Sequence, residues 1–171
     1  MEYILVLLAA AARILPHPPN MTPVAAIALF GGIFLSRRFA LLYPLMIMAA
    51  SDLILYALLG VPRFLPEGLF VYGSFLITGC LGLWCRKHLK IGLLYLICLV
   101  SSLQFFLLTN FGTWLMSGLY PRTTAGLLQC YTLAVPFFKN TLLGDLFWFS
   151  LLLGAYHLVH RRVPLRQRLT S

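Results

Sequence analysis

Six apolar stretches occupy most of this chain, and its Lys and Arg residues gather beside every second gap between them. That pattern excludes a water-soluble globule. With 61% hydrophobic and only 10% charged residues, a 19.2 kDa protein has too little polar surface to coat an apolar core. The mean hydropathy of +0.91 agrees. The bilayer is therefore the solvent. The expectation is one all-α, multi-pass domain over residues 1–171 with six transmembrane helices.

The first run covers residues 3–15 and stops at Pro16-His17-Pro18-Pro19-Asn20, where prolines deny the backbone its helical donors. Glu2 is the only early charge, and the basic start of a secretory signal is missing. A retained first helix is expected there. The second run, 22–35, has Thr22 as cap and Pro23 in the first turn, where a missing N–H costs nothing. Both runs are short for a full crossing, so tilt or a start within the headgroup layer is expected. The remaining runs are 39–59, 69–85, 91–109 and 136–159. Between the last two, residues 110–135 contain Gly112, Gly118, Pro121 and Gly126, and read as an outer re-entrant or capping loop.

Charge sets the expected orientation. Of the 13 Lys and Arg residues, nine lie in the second and fourth gaps and the C-terminal tail: Arg37, Arg38, Arg86, Lys87, Lys90, Arg161, Arg162, Arg166 and Arg168. The alternate gaps hold only Arg13, Arg63, Arg122 and Lys139. The positive-inside rule then places both termini in the cytoplasm, with the gaps around Pro18, Pro66 and Trp114 outside. Short juxtamembrane clusters of this kind form no nucleic-acid groove, despite the net charge of +9. Cys80, Cys85, Cys98 and Cys130 show neither CxxC nor zinc-finger spacing. No GxxxxGK[ST] phosphate loop is present, so the chain has no ATP site of its own.

Few residues within the spans carry chemistry. Asp52 and Asp145 are the only acids there, and a carboxylate at mid-membrane costs about 2.5–3.5 kcal/mol even on permissive scales. Each requires a hydrogen-bonding partner or a function, such as a proton or cation relay. Ala28-x-x-x-Gly32 and Gly79-x-x-Gly82 permit close helix approach, either within the bundle or, at the Ala28/Gly32 face, with an energising membrane module. Cys80, between Gly79 and Gly82, reads as a small hydrophobe or as a soft ligand for one transition metal. His157 and His160 read as interfacial residues.

Several segments resemble one family: RILPHPPNMTPVAAIALFGG from Arg13 to Gly32, SD at Ser51-Asp52, and YGSF from Tyr72 to Phe75. LLTNFGTW from Leu107 to Trp114 and CYTLAVPFFKNTLLGD from Cys130 to Asp145 continue the likeness. The chain resembles the BtuM family, solitary substrate-binding components of the energy-coupling-factor transporter type that take up cobalamin across the bacterial inner membrane. Cys80 matches the cysteine that ligates cobalt from the fourth helix of that group. The resemblance implies that cobalamin or cobinamide is bound beneath the outer loops with the Cys80 thiolate as axial ligand. Decyanation at Cys80 would then accompany uptake. Tyr72, Phe75, Trp114 and Tyr131, with Asn20, Asn110 and Asn140, would contact the corrin and its amide rim, or else serve as packing and interface residues. A solitary component of this type would move its substrate without a partner ATPase.

From a different class, an intramembrane enzyme or a proton-coupled small-molecule transporter using Asp52 and Asp145 is the alternative. A structural protein whose ligand-like residues only pack is a third.

Overall fold

The computed structural model describes residues 20–60 and 66–159. Five helices occupy them: α1 (Val24–Phe34), α2 (Arg37–Leu59), α3 (Gly68–Cys85), α4 (Ile91–Met116) and α5 (Thr124–Val159), with no strand among the described residues. α2 to α5 each contain a segment long and apolar enough to cross a bilayer. The expected helix at 3–15, the turn at Pro16–Pro19, Arg63, His160 and the C-terminal arginines lie outside the described residues.

The shortest helix is the central one. α1 has 11 residues, which at 1.5 Å each reach about 16 Å, half of a hydrocarbon core. Ten of those residues are buried, and the helix touches each of the other four. A helix that is apolar all round belongs in a core. Around it, the long helices turn leucines and other large apolar residues outward, among them Leu42, Met46, Leu96, Leu103, Phe147 and Leu151.

The Ala28/Gly32 face is therefore occupied from within. Ala28 is fully buried, and a Cβ placed on Gly32 would lie 2.6 Å from the Gly79 carbonyl oxygen and 2.8 Å from the Gly82 Cα. On the other side of α3, a Cβ on Gly79 would lie 2.5 Å from the carbonyl oxygen of Ala40 in α2. Helix backbones meet directly at these glycines, the within-bundle reading of that spacing. Arg86 closes the same end: its Nε donates to the Gly32 carbonyl at 3.1 Å, and a terminal guanidinium nitrogen donates to that of Leu35. These are carbonyls that the end of α1 leaves without helical partners. Burial, and secondarily the neighbouring Arg37, hold the Arg86 pKa below its ordinary value.

The segment 110–135 is not a loop. α4 continues through Asn110 and Gly112 to Met116, and α5 begins at Thr124, so the connection shrinks to 117–123. The residues that looked like breaks are contact points instead. Phe70 packs where a Cβ on Gly112 would stand, and Pro121 does the same at Gly126. Pro136, expected to open the last helix, lies inside α5. It removes one helical hydrogen bond, a loss that membrane helices tolerate within a packed bundle. At 36 residues α5 would reach about 54 Å if straight, well beyond the hydrocarbon thickness.

Candidate functional site

The two halves of the bundle differ. The glycine contacts and Arg86 close the end that carries Arg37, Arg38, Lys87 and Lys90, whereas the other half holds a partly open cavity of about 470 Å³. Its walls come from all five helices and from the turn that precedes α1.

Asn20 makes that turn with a left-handed backbone, φ 63°, which asparagine adopts more readily than most residues. The chain then reaches α1 by way of Met21, whose backbone lies against Gly144 and whose carbonyl accepts from Trp148 Nε1 at 3.3 Å. α1 thus begins beside the middle of α5. Asn20, Thr22 and Ala25 line the cavity there, and no side chain caps the first turn of α1.

α4 and α5 supply two ladders at i, i+4 spacing, which on a helix places residues on one face. Phe105, Thr109 and Thr113 form the first, with Phe106 and Asn110 one residue along. Phe137, Thr141 and Asp145 form the second. Phe75 of α3 packs on Phe105 with ring centroids 5.3 Å apart, and Phe106 lies 4.7 Å from Phe138. Asp145 is only 4% exposed and accepts a hydrogen bond of 2.7 Å from Ser102, near the midpoint of α4. The cavity runs from this acid at mid-depth to Thr113 near the end of α4.

Hydrogen bonding sets the chemical sense of the walls. Thr109 donates to the Phe105 carbonyl at 2.8 Å, Thr113 to Thr109 at 3.0 Å and Thr141 to Phe137 at 3.2 Å. Each hydroxyl has one proton, so its remaining capacity is as an acceptor. Asn110 donates one of its two amide hydrogens to the Phe106 carbonyl at 2.8 Å and retains one donor and its carbonyl acceptor. None of the described Lys or Arg side chains lines the cavity.

Of the residues expected to bind a ligand, the cavity gathers Asn20, Phe75 and Asn110, together with Asp145. Tyr72 lies elsewhere and donates to Asp52 at 2.9 Å. Trp114 donates to the Pro121 carbonyl at 3.0 Å and pins the connection between α4 and α5. Tyr131 donates to the Leu107 carbonyl at 2.7 Å and packs edge-on to Phe106, outside the wall. Asn140 is half-buried on α5 and off the cavity. Cys80 is exposed on α3 and does not line the cavity. At 100° per residue it lies 140° around the helix from Phe75 and 180° from Val71, both of which do. The two spanning acids also part company, since Asp52 meets Tyr72 and Asp145 meets Ser102 on different helices.

A family model matches residues 1–167, and its description is a family of unknown function, DUF6580. The chain belongs to that family. No curated protein and no solved structure matches it. In this DUF6580 chain the threonines and Phe105, Phe106 and Phe137 are the site residues that sequence reasoning missed. The two ladders were the available signal, since each runs from phenylalanine to polar groups at a spacing of four.

Proposed function

We propose that this protein is the solute-binding component of a membrane uptake system and that the cavity is its binding site. The carrying observation is a cavity of about 470 Å³ with phenylalanine walls, convergent amide and hydroxyl groups and one buried acid. Apolar walls with a few placed polar groups are the usual build of small-molecule sites, which span about 300–1,000 Å³. The basic cluster at the opposite end supports an orientation with that end in the cytoplasm, the cavity facing outward and both termini inside. With residues 3–15 as a further helix, six helices would surround a solute captured from outside. The likeness to the BtuM family supports the same class of protein.

Purified protein, denatured and examined by mass spectrometry, is expected to release one small molecule in near-stoichiometric amount. Ala25→Trp fills the cavity and should abolish the release while the protein stays monodisperse. A wild-type protein that releases nothing, or an undiminished release from Ala25→Trp, would overturn the proposal.

The corrinoid reading rests on the quoted sequence segments and requires cobalt at Cys80. That thiol lies on the far side of α3 from the cavity, so a corrinoid would occupy a separate surface. Titration with cobinamide followed by absorbance separates the two. A spectral change that Cys80→Ala abolishes supports a corrinoid, and an unchanged spectrum removes it.

A further inference from the structure

We infer that the cavity selects a compact organic cation that carries N–H donors on a flat apolar body, with the cationic group at Asp145. This inference rests on the cavity being the binding site and adds the class of ligand. Three independent features converge. First, Asp145 stands at the mid-depth end, its visible partner a neutral Ser102 hydroxyl 2.7 Å away, and none of the described Lys or Arg side chains reaches the cavity to neutralise it. A carboxylate in low dielectric gains more from a cationic ligand than it would in water, because the attraction is less screened. Second, Thr109, Thr113 and Thr141 have each given their proton to their own helix, so the hydroxyls toward the ligand accept. A ligand rich in acceptors would leave those oxygens unpaired, whereas N–H donors satisfy them. Third, Phe75, Phe105, Phe106 and Phe137 present aromatic surface that suits a flat body and attracts positive charge. No group of three or more His, Cys, Asp or Glu residues that would make a transition-metal ligand set occurs among the described residues.

The test uses three ring-matched probes on the intact protein in nanodiscs, with empty nanodiscs as reference. They are benzylamine, protonated at neutral pH, the neutral benzyl alcohol, and benzyltrimethylammonium, which has the charge but no N–H. Isothermal titration should give benzylamine the highest affinity, at least tenfold above benzyl alcohol, with benzyltrimethylammonium between. Asp145→Asn should remove the preference for benzylamine over benzyl alcohol, and a preference that persists in that variant would overturn the placement of the cationic group at Asp145. Equal affinities for benzylamine and benzyl alcohol would overturn the cation inference and leave the cavity as a binding site. Failure of all three probes to bind would overturn the inference and the binding-site reading together. The probe series is measured on the unaltered protein, so the ranking of the three affinities decides the matter even if Asp145→Asn does not fold.

Discussion

The basic half of the bundle and the cavity half are built from the same helices by opposite means. In the basic half, glycines bring α1, α2 and α3 into backbone contact, and Arg86 fastens the end of α1. In the other half, phenylalanines and threonines hold the helices apart without filling the space between them. Small side chains in lipid make a dry joint, because van der Waals contact and not water exclusion drives helix association there. Large ones, anchored by their own helix backbones, leave room for a guest. The short α1 links the two regimes, since its last residues lie in the joint and its first turn borders the cavity.

Breaking the joint should have the largest effect. Gly82→Leu drives a side chain into the Leu29 carbonyl and the Gly32 backbone, neither of which can rotate away. A loss of about 3 kcal/mol or more is expected, seen as aggregation in size-exclusion chromatography or a collapse of the thermal midpoint in detergent. Removing the Arg86 clasp comes next. Arg86→Ala leaves the Gly32 and Leu35 carbonyls without their charged donor and should cost about 1.5–3 kcal/mol. Arg86→Lys should restore less than half, because a single ammonium does not span both carbonyls as a guanidinium fork does. Full rescue by lysine would show that charge alone matters.

In the cavity half the effects should fall on binding and spare stability. Thr141→Val removes one acceptor and should weaken the bound solute by about two- to tenfold while shifting stability by less than about 0.5 kcal/mol. A large fall in the thermal midpoint would instead make this half structural, like its counterpart. The smallest effect belongs to Arg37→Gln, which relieves the repulsion on Arg86 and should stabilise by about 0.3 kcal/mol. That gain should shrink as salt is raised, and a salt-independent change would point to packing instead.

The helices were largely legible in the sequence because long apolar runs bounded by charge and proline have few other readings in a bilayer. The expected 69–85 and 39–59 differ from α3 and α2 by two residues or fewer at their ends. The failure at 110–135 has a specific cause. Gly112, Gly126 and Pro136 break helices in water, but within lipid an open backbone is worse, so the helices persist and the small residues become contacts. The candidate site was legible only in part. In water, apolar periodicity reveals which face of a helix is buried, but here lipid and core are equally apolar, so rotation about the axis is hidden. This is why Cys80 and Phe75, five residues apart, could both be expected at the ligand when only Phe75 reaches the cavity. Asp145 was visible because any acid in a span demands an explanation, whereas nothing in the sequence singles out Thr109 and Thr113.

An experimental structure of the protein with its co-purified solute would test the cavity as binding site most directly. Density is expected between the Phe106 and Phe137 rings, with a polar atom within hydrogen-bonding distance of the Asp145 carboxylate. Density on the outer surface of α3 against the Cys80 sulfur, with the cavity filled only by water or lipid, would contradict it.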